Sequence, residues 1–330
     1  MMDFKTFFGG KKVLITGGLG FIGSNLARKL VEFDAIVTLA DFLDPGGGGN
    51  KFNVSGLEKR LKVEVVDAGD IAHMAGLVVD QDILFNLAGQ TSHLGSILDP
   101  LQDLEINTVN QLKLLELCRQ QNRRIRIVYA GTRQIYGRPK YLPVDEKHLV
   151  APADFNGVSK RAGEMYHLVV NRMYGLWTAV LRLTNVYGPR MRVKDERQNF
   201  IGWWFHEIIE GEELSVFGDG QQVRDINYVD DVIEALLLCS MNPAAEGEIY
   251  NLGNDPVTLL DLARLMIEVN GGGKYRLTPF PQDRKRIDIG DYFGDYNKIL
   301  SQLGWQPKVA LREGIEKTLA YYRQYKEHYW

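Results

Sequence analysis

Three glycines in "VLITGGLGFIGSNLA", Gly17, Gly20 and Gly23, stand where an apolar, β-branched run gives way to an amphipathic one. Glycines so spaced permit a tight turn and let a pyrophosphate approach the backbone at a helix start, where free N–H groups and the helix dipole favour negative charge. Phe21 and Ile22, between the second and third glycine, would border the same group. Asp41 closes the next apolar run. A carboxylate there accepts hydrogen bonds from both ribose hydroxyls and repels a 2′-phosphate, which favours NAD over NADP. Asp70 and Ile71, after the third run, are candidates to lie against adenine. Cys118 and Cys239, the two cysteines, are too few for a zinc site or a disulfide framework, so no metal is expected and a reducing cytoplasm fits best.

Such a site needs strands that all end on one side. From Lys12 to Leu183 short runs ("VLIT", "AIVTLAD", "LKVEVVD", "DILFNLA", "RIRIVYA", "LWTAVLRL") alternate with longer helical patterns, the signature of βαβ units and a parallel, doubly wound sheet covered on both faces. After Gly188-Pro189 the elements shorten into what reads as a smaller C-terminal α/β lobe. The expected division is 1–183 for the dinucleotide domain and 184–330 for a substrate lobe, with 225–245 packing back on the first domain. The helical patterns from Leu112 to Cys118 and from Met165 to Val169 are apolar on more than one face, which predicts a homodimer. The run "PGGGGNKFN" from Pro45 reads as a loop. With 39 basic and 42 acidic residues the net charge is −3, which gives no footprint for nucleic acid or an anionic membrane. "MMDFKTFFGGKK" lacks the apolar core of a signal peptide, and no run reaches membrane-spanning length, so neither is expected.

"TGGLGFIG", "GTRQIYG", "LRLTNVYGPR" and "VRDINYVDDV", in this order, resemble the extended short-chain dehydrogenase/reductases that act on nucleotide-activated sugars. The resemblance spans nearly the whole chain and implies a Rossmann-type fold, bound NAD and a nucleotide-diphosphate sugar. By motif, Thr132 matches the hydroxyl residue that hydrogen-bonds the reacting sugar oxygen, and Lys160 the lysine that holds the nicotinamide ribose. Leu87, Ala88 and Gly89 would line the cofactor, and Thr91, Ser92 and His93 would border cofactor and sugar. Asn185 and Arg224 match groups on the diphosphate side, and Arg286, or Arg284 if the alignment slips, is a second arginine for it.

Two departures bear on the reaction. Where the family's 4,6-dehydratases carry an acidic pair after the threonine, this chain has Arg133 and Gln134, neither a proton donor for loss of water. Where the family keeps a catalytic tyrosine four residues before the lysine, this chain has Asn156, whose amide cannot accept a proton. His93, Lys160 or Tyr136 could supply the missing base; alternatively, Asn156 could suffice as a hydrogen-bonding group. The reading that fits best is an epimerase working through a transient keto-sugar at C4. A dehydratase with a rearranged acid–base set and a silent NAD or nucleotide-sugar binding protein are the alternatives.

Overall fold

The computed structural model describes residues 3–44, 47–194 and 199–330. The glycine-rich run expected as a loop begins at Pro45 and Gly46, outside the described residues. In chain order the first half comprises α1 (Phe4–Phe8), β1 (Lys12–Thr16), α2 (Phe21–Glu32), β2 (Ile36–Asp41), β3 (Leu61–Val65), α3 (Ile71–Val78), β4 (Ile83–Asn86), α4 (His93–Leu98), α5 (Pro100–Leu104), a π-helical stretch (Glu105–Val109), α6 (Asn110–Gln121), β5 (Arg126–Thr132), α7 (Phe155–Tyr174) and β6 (Thr178–Leu183). The second half comprises β7 (Asn185–Tyr187), α8 (Phe200–Glu210), β8 (Glu213–Phe217), β9 (Val223–Tyr228), α9 (Val229–Met241), β10 (Ile249–Asn251), β11 (Pro256–Thr258) and α10 (Leu259–Asn270). It closes with β12 (Lys274–Thr278), α11 (Gln282–Arg286), α12 (Asn297–Leu303) and α13 (Leu311–Tyr325). No helix among the described residues is long and apolar enough to cross a membrane.

The central sheet is parallel and Rossmann-type, in the order β10-β6-β5-β4-β1-β2-β3. Its inner strands are continuous apolar runs because both faces are covered: every residue of β4 and β6 is buried. Leu26, Leu30 and Leu236 pack on one face, and Leu114, Cys118 and Val170 on the other. The chain turns outward to β2 on one side of β1 and to β4 on the other, so the ends of β1 and β4 diverge and leave a crevice.

The boundary expected at residue 183 does not divide the sheet. β10, beyond the 225–245 segment expected to return, pairs with β6 through Ile249↔Val180, and α9 packs on β5, β6 and α2. The remaining strands form a three-stranded sheet, β11-β9-β7, and a β12-β8 pair.

A buried ion pair ties this arrangement together. Arg182 on β6 meets Glu164 on α7 through two parallel contacts, Nε–Oε2 at 2.9 Å and Nη2–Oε1 at 2.7 Å, with both residues no more than 2% exposed. Arg182 also donates to the Tyr136 hydroxyl, which donates to Asn251 Oδ1 of β10 at 2.7 Å. Truncating one partner strands the other charge. We expect Glu164→Ala to lose about 3–5 kcal/mol of stability, read as a lower urea midpoint with an unchanged slope.

Candidate active site

At the crevice, Gly17 turns at φ 68°, a left-handed backbone that suits glycine, and donates its N–H to Ala40 O at 2.8 Å. A Cβ on Gly23 would strike Gly17 O, and one on Gly17 would lie 3.1 Å from the Ala88 backbone, so these two glycines are where helix and strands come closest. Gly20 caps α2 without a side chain, leaving the first-turn N–H groups beside Phe21 and Ile22 without a side-chain partner. Asp41, 9% exposed at the end of β2, accepts from Leu19 N and Leu43 N, both at 2.9 Å. Asp70 caps α3 by accepting from His73 N at 3.2 Å, and Ile71 begins that helix. Leu87 and Ala88 leave β4 with their N–H groups on Thr16 Oγ1.

Gly89 sits against Lys160 Nζ, with no room for a Cβ between them. Lys160 is 7% exposed, and burial pushes its pKa from 10.5 down to about 8, against the opposing pull of Asp103. The Asp103 carboxylate, 1% exposed on α5, accepts from Asn107 Nδ2 at 3.0 Å and from Asn156 Nδ2 at 2.9 Å. Asn156 Nδ2 also donates to Gln90 O at 2.9 Å, so both amide hydrogens are engaged and only Oδ1 is left to meet a ligand. Asp103 Oδ1, Asn107 Oδ1 and the Tyr129 hydroxyl are buried around this cluster without partners. The sequence reading missed Asp103 and Asn107; their i, i+4 spacing was the one local signal.

On the sugar side, Thr132 ends β5 and its Oγ1 accepts from Gln134 N at 3.2 Å. Gln134 Nε2 donates to Asp154 Oδ2 at 3.2 Å, and Asp154 Oδ1 caps α7 by accepting from Gly157 N at 2.7 Å. His93 Nδ1 lies 2.8 Å from Asp154 Oδ2. Ser92, expected near the substrate, is buried and uses its hydroxyl to cap α4 on Gly95 N; Thr91 is exposed. Tyr136, one of the three groups considered as a replacement base, is unsuited to accepting a proton, because burial pushes its phenol up to about 12 and both of its hydrogen bonds are structural.

The cationic end lies between the two lobes. Arg133 Nη2 donates to Asn185 Oδ1 at 2.9 Å, and Asn185 Nδ2 reaches Asp225 O at 3.4 Å. Arg224 is 7% exposed and held by Gly290 O at 2.6 Å and Asp288 Oδ1 at 3.1 Å. Burial and then the neighbouring Arg133 push its pKa down to about 10. Two guanidiniums that oppose each other's charge are relieved by an anion, whose diphosphate form suits their planar forks. Arg286 is exposed on α11, and the Arg284 guanidinium lies 5.2 Å from the Phe217 ring centre.

A model described as the NAD dependent epimerase/dehydratase family matches residues 13–253. The chain belongs to that family. A UDP-glucose 4-epimerase of Mycolicibacterium smegmatis is 30% identical over 316 residues, covering 94% of this chain and 98% of that one. UDP-glucuronic acid decarboxylase 1 of Xenopus tropicalis is 32% identical over 330 residues, covering 96% and 73%. Among solved structures, a UDP-glucose 4-epimerase of Thermotoga maritima with UDP-glucose superposes with a TM-score of 0.86 at 31% identity, covering 96% and 99%. Family members are NAD-dependent, and the glycine turn, the uncapped start of α2 and Asp41 together fit that dinucleotide in this chain.

Lys160 gives this site a stability signature. Below pH 8 its ammonium is charged in the folded and unfolded chain alike, at a burial cost of about 3 kcal/mol. Above 10.5 the amine is neutral in both states and the cost is gone. In the absence of dinucleotide, Lys160→Met should therefore be more stable than the parent at pH 7, by up to about 3 kcal/mol. Urea unfolding should show the gap closing as pH rises from 8 to 10.5.

Proposed function

We propose that this protein is an NAD-dependent nucleotide-sugar 4-epimerase. The observation that carries this reading is the content of the turn after β5. Thr132 and Lys160 are present, as oxidation and reduction of a sugar carbon require, while Arg133 and Gln134 occupy the places where elimination of water needs an acid. Bound NAD supplies a reversible hydride acceptor at the sugar carbon. The Thr132 hydroxyl, able to donate or accept, holds the reacting oxygen. Lys160, charged at neutral pH in its buried setting, holds the nicotinamide ribose and keeps positive potential beside it. Asn185, Arg133 and Arg224 hold the diphosphate, so the sugar can turn over between the two hydride transfers without leaving. Asn156, with both amide hydrogens engaged, offers the sugar an acceptor oxygen and no acid or base.

The test is incubation of the pure protein with UDP-, dTDP-, CDP- and GDP-sugars followed by NMR of the products. One of them should yield its C4 epimer, with the C4 hydrogen retained from substrate to product. A 4-keto-6-deoxy product would favour the dehydratase alternative, and binding without conversion the silent one.

A homodimer is part of this reading. Leu98 (82% exposed) and Leu101 (76%) on α4 and α5, and Phe155, Val158, Val169 and Met173 (69%) along α7, are large apolar side chains left in contact with solvent, and they mark the surface we assign to the dimer. Leu114, Leu115, Leu117 and Cys118, within the segment expected to face a partner, are instead buried against the sheet; of that stretch Leu112 stays exposed. Light scattering should give twice the 37.4 kDa chain mass, and Leu101→Glu with Met173→Glu should give the monomer.

A further inference from the structure

With Asn156 unable to take a proton, a 4-epimerase needs another acceptor for the proton of the sugar hydroxyl. Lys160 is a poor choice, since at pH 7 it is already protonated and its ammonium is needed at the ribose. We infer that His93, held by Asp154, is the proton acceptor of this site. The inference rests on the 4-epimerase reading and deepens it.

Two features of His93 support the role. First, its Nδ1 is buried and lies 2.8 Å from Asp154 Oδ2, whereas the side chain as a whole is 34% exposed. The open part of the ring is therefore its far edge, which carries Nε2. The Nδ1–H is turned off the line to the carboxylate, and rotation about the soft terminal torsion of the side chain aligns it. Asp154 is anchored independently, by Gly157 N and Gln134 Nε2, and those bonds together with His93 hold its carboxyl below the usual range despite burial. It therefore stays ionised and stabilises an imidazolium. Second, the pair is fastened to the groups that meet the sugar and cofactor. Asp154 Oδ2 is shared with Gln134, whose N–H is on Thr132 Oγ1, and the loop that carries His93 passes through Gly89, against Lys160, and Gln90, whose carbonyl holds Asn156.

The elements packed against α4 are α5, with Asp99 at its cap and Asp103, and α7, with Asp154 at its cap and Lys160, Arg161, Glu164 and Arg172 along it; Arg161 and Glu164 pair with each other. Of these only Asp154 touches the ring, with its Oδ2 2.8 Å from Nδ1. With NAD bound, its nicotinamide would take the C4 hydrogen together with both bonding electrons; the chain's own part is to accept the hydroxyl proton at His93 Nε2 as C–O becomes C=O. The imidazolium, paired with Asp154, then returns the same proton to the ketone oxygen as hydride comes back to the opposite face, so no net oxidation occurs. Asp154 is a positioning residue in this scheme.

The experiment uses the full-length protein on the nucleotide sugar that the parent converts. His93→Gln, with His93→Asn as a second replacement, should lower kcat by roughly 10²–10⁴-fold while KM and NAD affinity change by less than about threefold. Asp154→Asn keeps the cap of α7 but removes the charge beside Nδ1, so it should lower kcat by roughly tenfold or more with KM little changed, and Asp154→Glu, which keeps the charge, should retain more of the rate. Independently of turnover, NMR of histidine-labelled protein should show one imidazole signal that vanishes in His93→Gln and whose Nδ1 chemical shift changes in Asp154→Asn, where the charged partner at 2.8 Å is lost. Variants that turn over like the parent, or an imidazole signal indifferent to Asp154→Asn, overturn this assignment and leave the epimerase reading standing. A parent that converts none of the sugars overturns both.

Discussion

The arrangement behind Gly89 depends on burying one ammonium. Lys160 is pressed against Gly89 of the strand-end loop, where a Cβ would displace its Nζ, and removing its charge from water disfavours protonation strongly enough to bring its pKa down to about 8. Asp103 opposes that penalty from α5, and its carboxylate cannot be left bare, so Asn107 and Asn156 donate to it. The amide at 156 is thus explained by its surroundings: it satisfies a buried carboxylate and the Gln90 carbonyl, two acceptors that a phenol could not serve at once.

The cationic end is built on the same physics, with buried guanidiniums in place of the ammonium. Burial and then Arg133 weaken the hold of Arg224 on its proton, burial weakens that of Arg133, and Asp225, whose carboxyl burial pushes up to about 7, lies beside Arg133. An anionic ligand supplies the compensation that these protein groups provide only in part.

Scaffold and site are joined at few points. Arg182 and Glu164 link α7, which carries Lys160 and Asn156, to β6 and through Tyr136 to β10, so the helix that presents the chemistry is fixed to the edge of the sheet completed by the second half of the chain. This is why the sheet draws a strand from beyond residue 183 and why the lobes do not separate at a single boundary.

The sequence by itself determined the doubly wound sheet, the turn at Gly17 and the place of Asp41. Each is written in local signals: β-branched runs of strand length, a left-handed φ that suits glycine, a carboxylate at a strand end. It also placed Thr132 and Lys160 through their motifs. What it left open was which group stands in for the missing phenol, because the pairs that bear on it join residues far apart in the chain. Asp103 meets Asn156 across 53 residues, and His93 at the start of α4 meets Asp154 at the cap of α7. Such contacts leave no period or spacing to read, since they arise only when α4, α5 and α7 are packed on one face of the sheet. There the burial of each polar group decides which distant partner it must find.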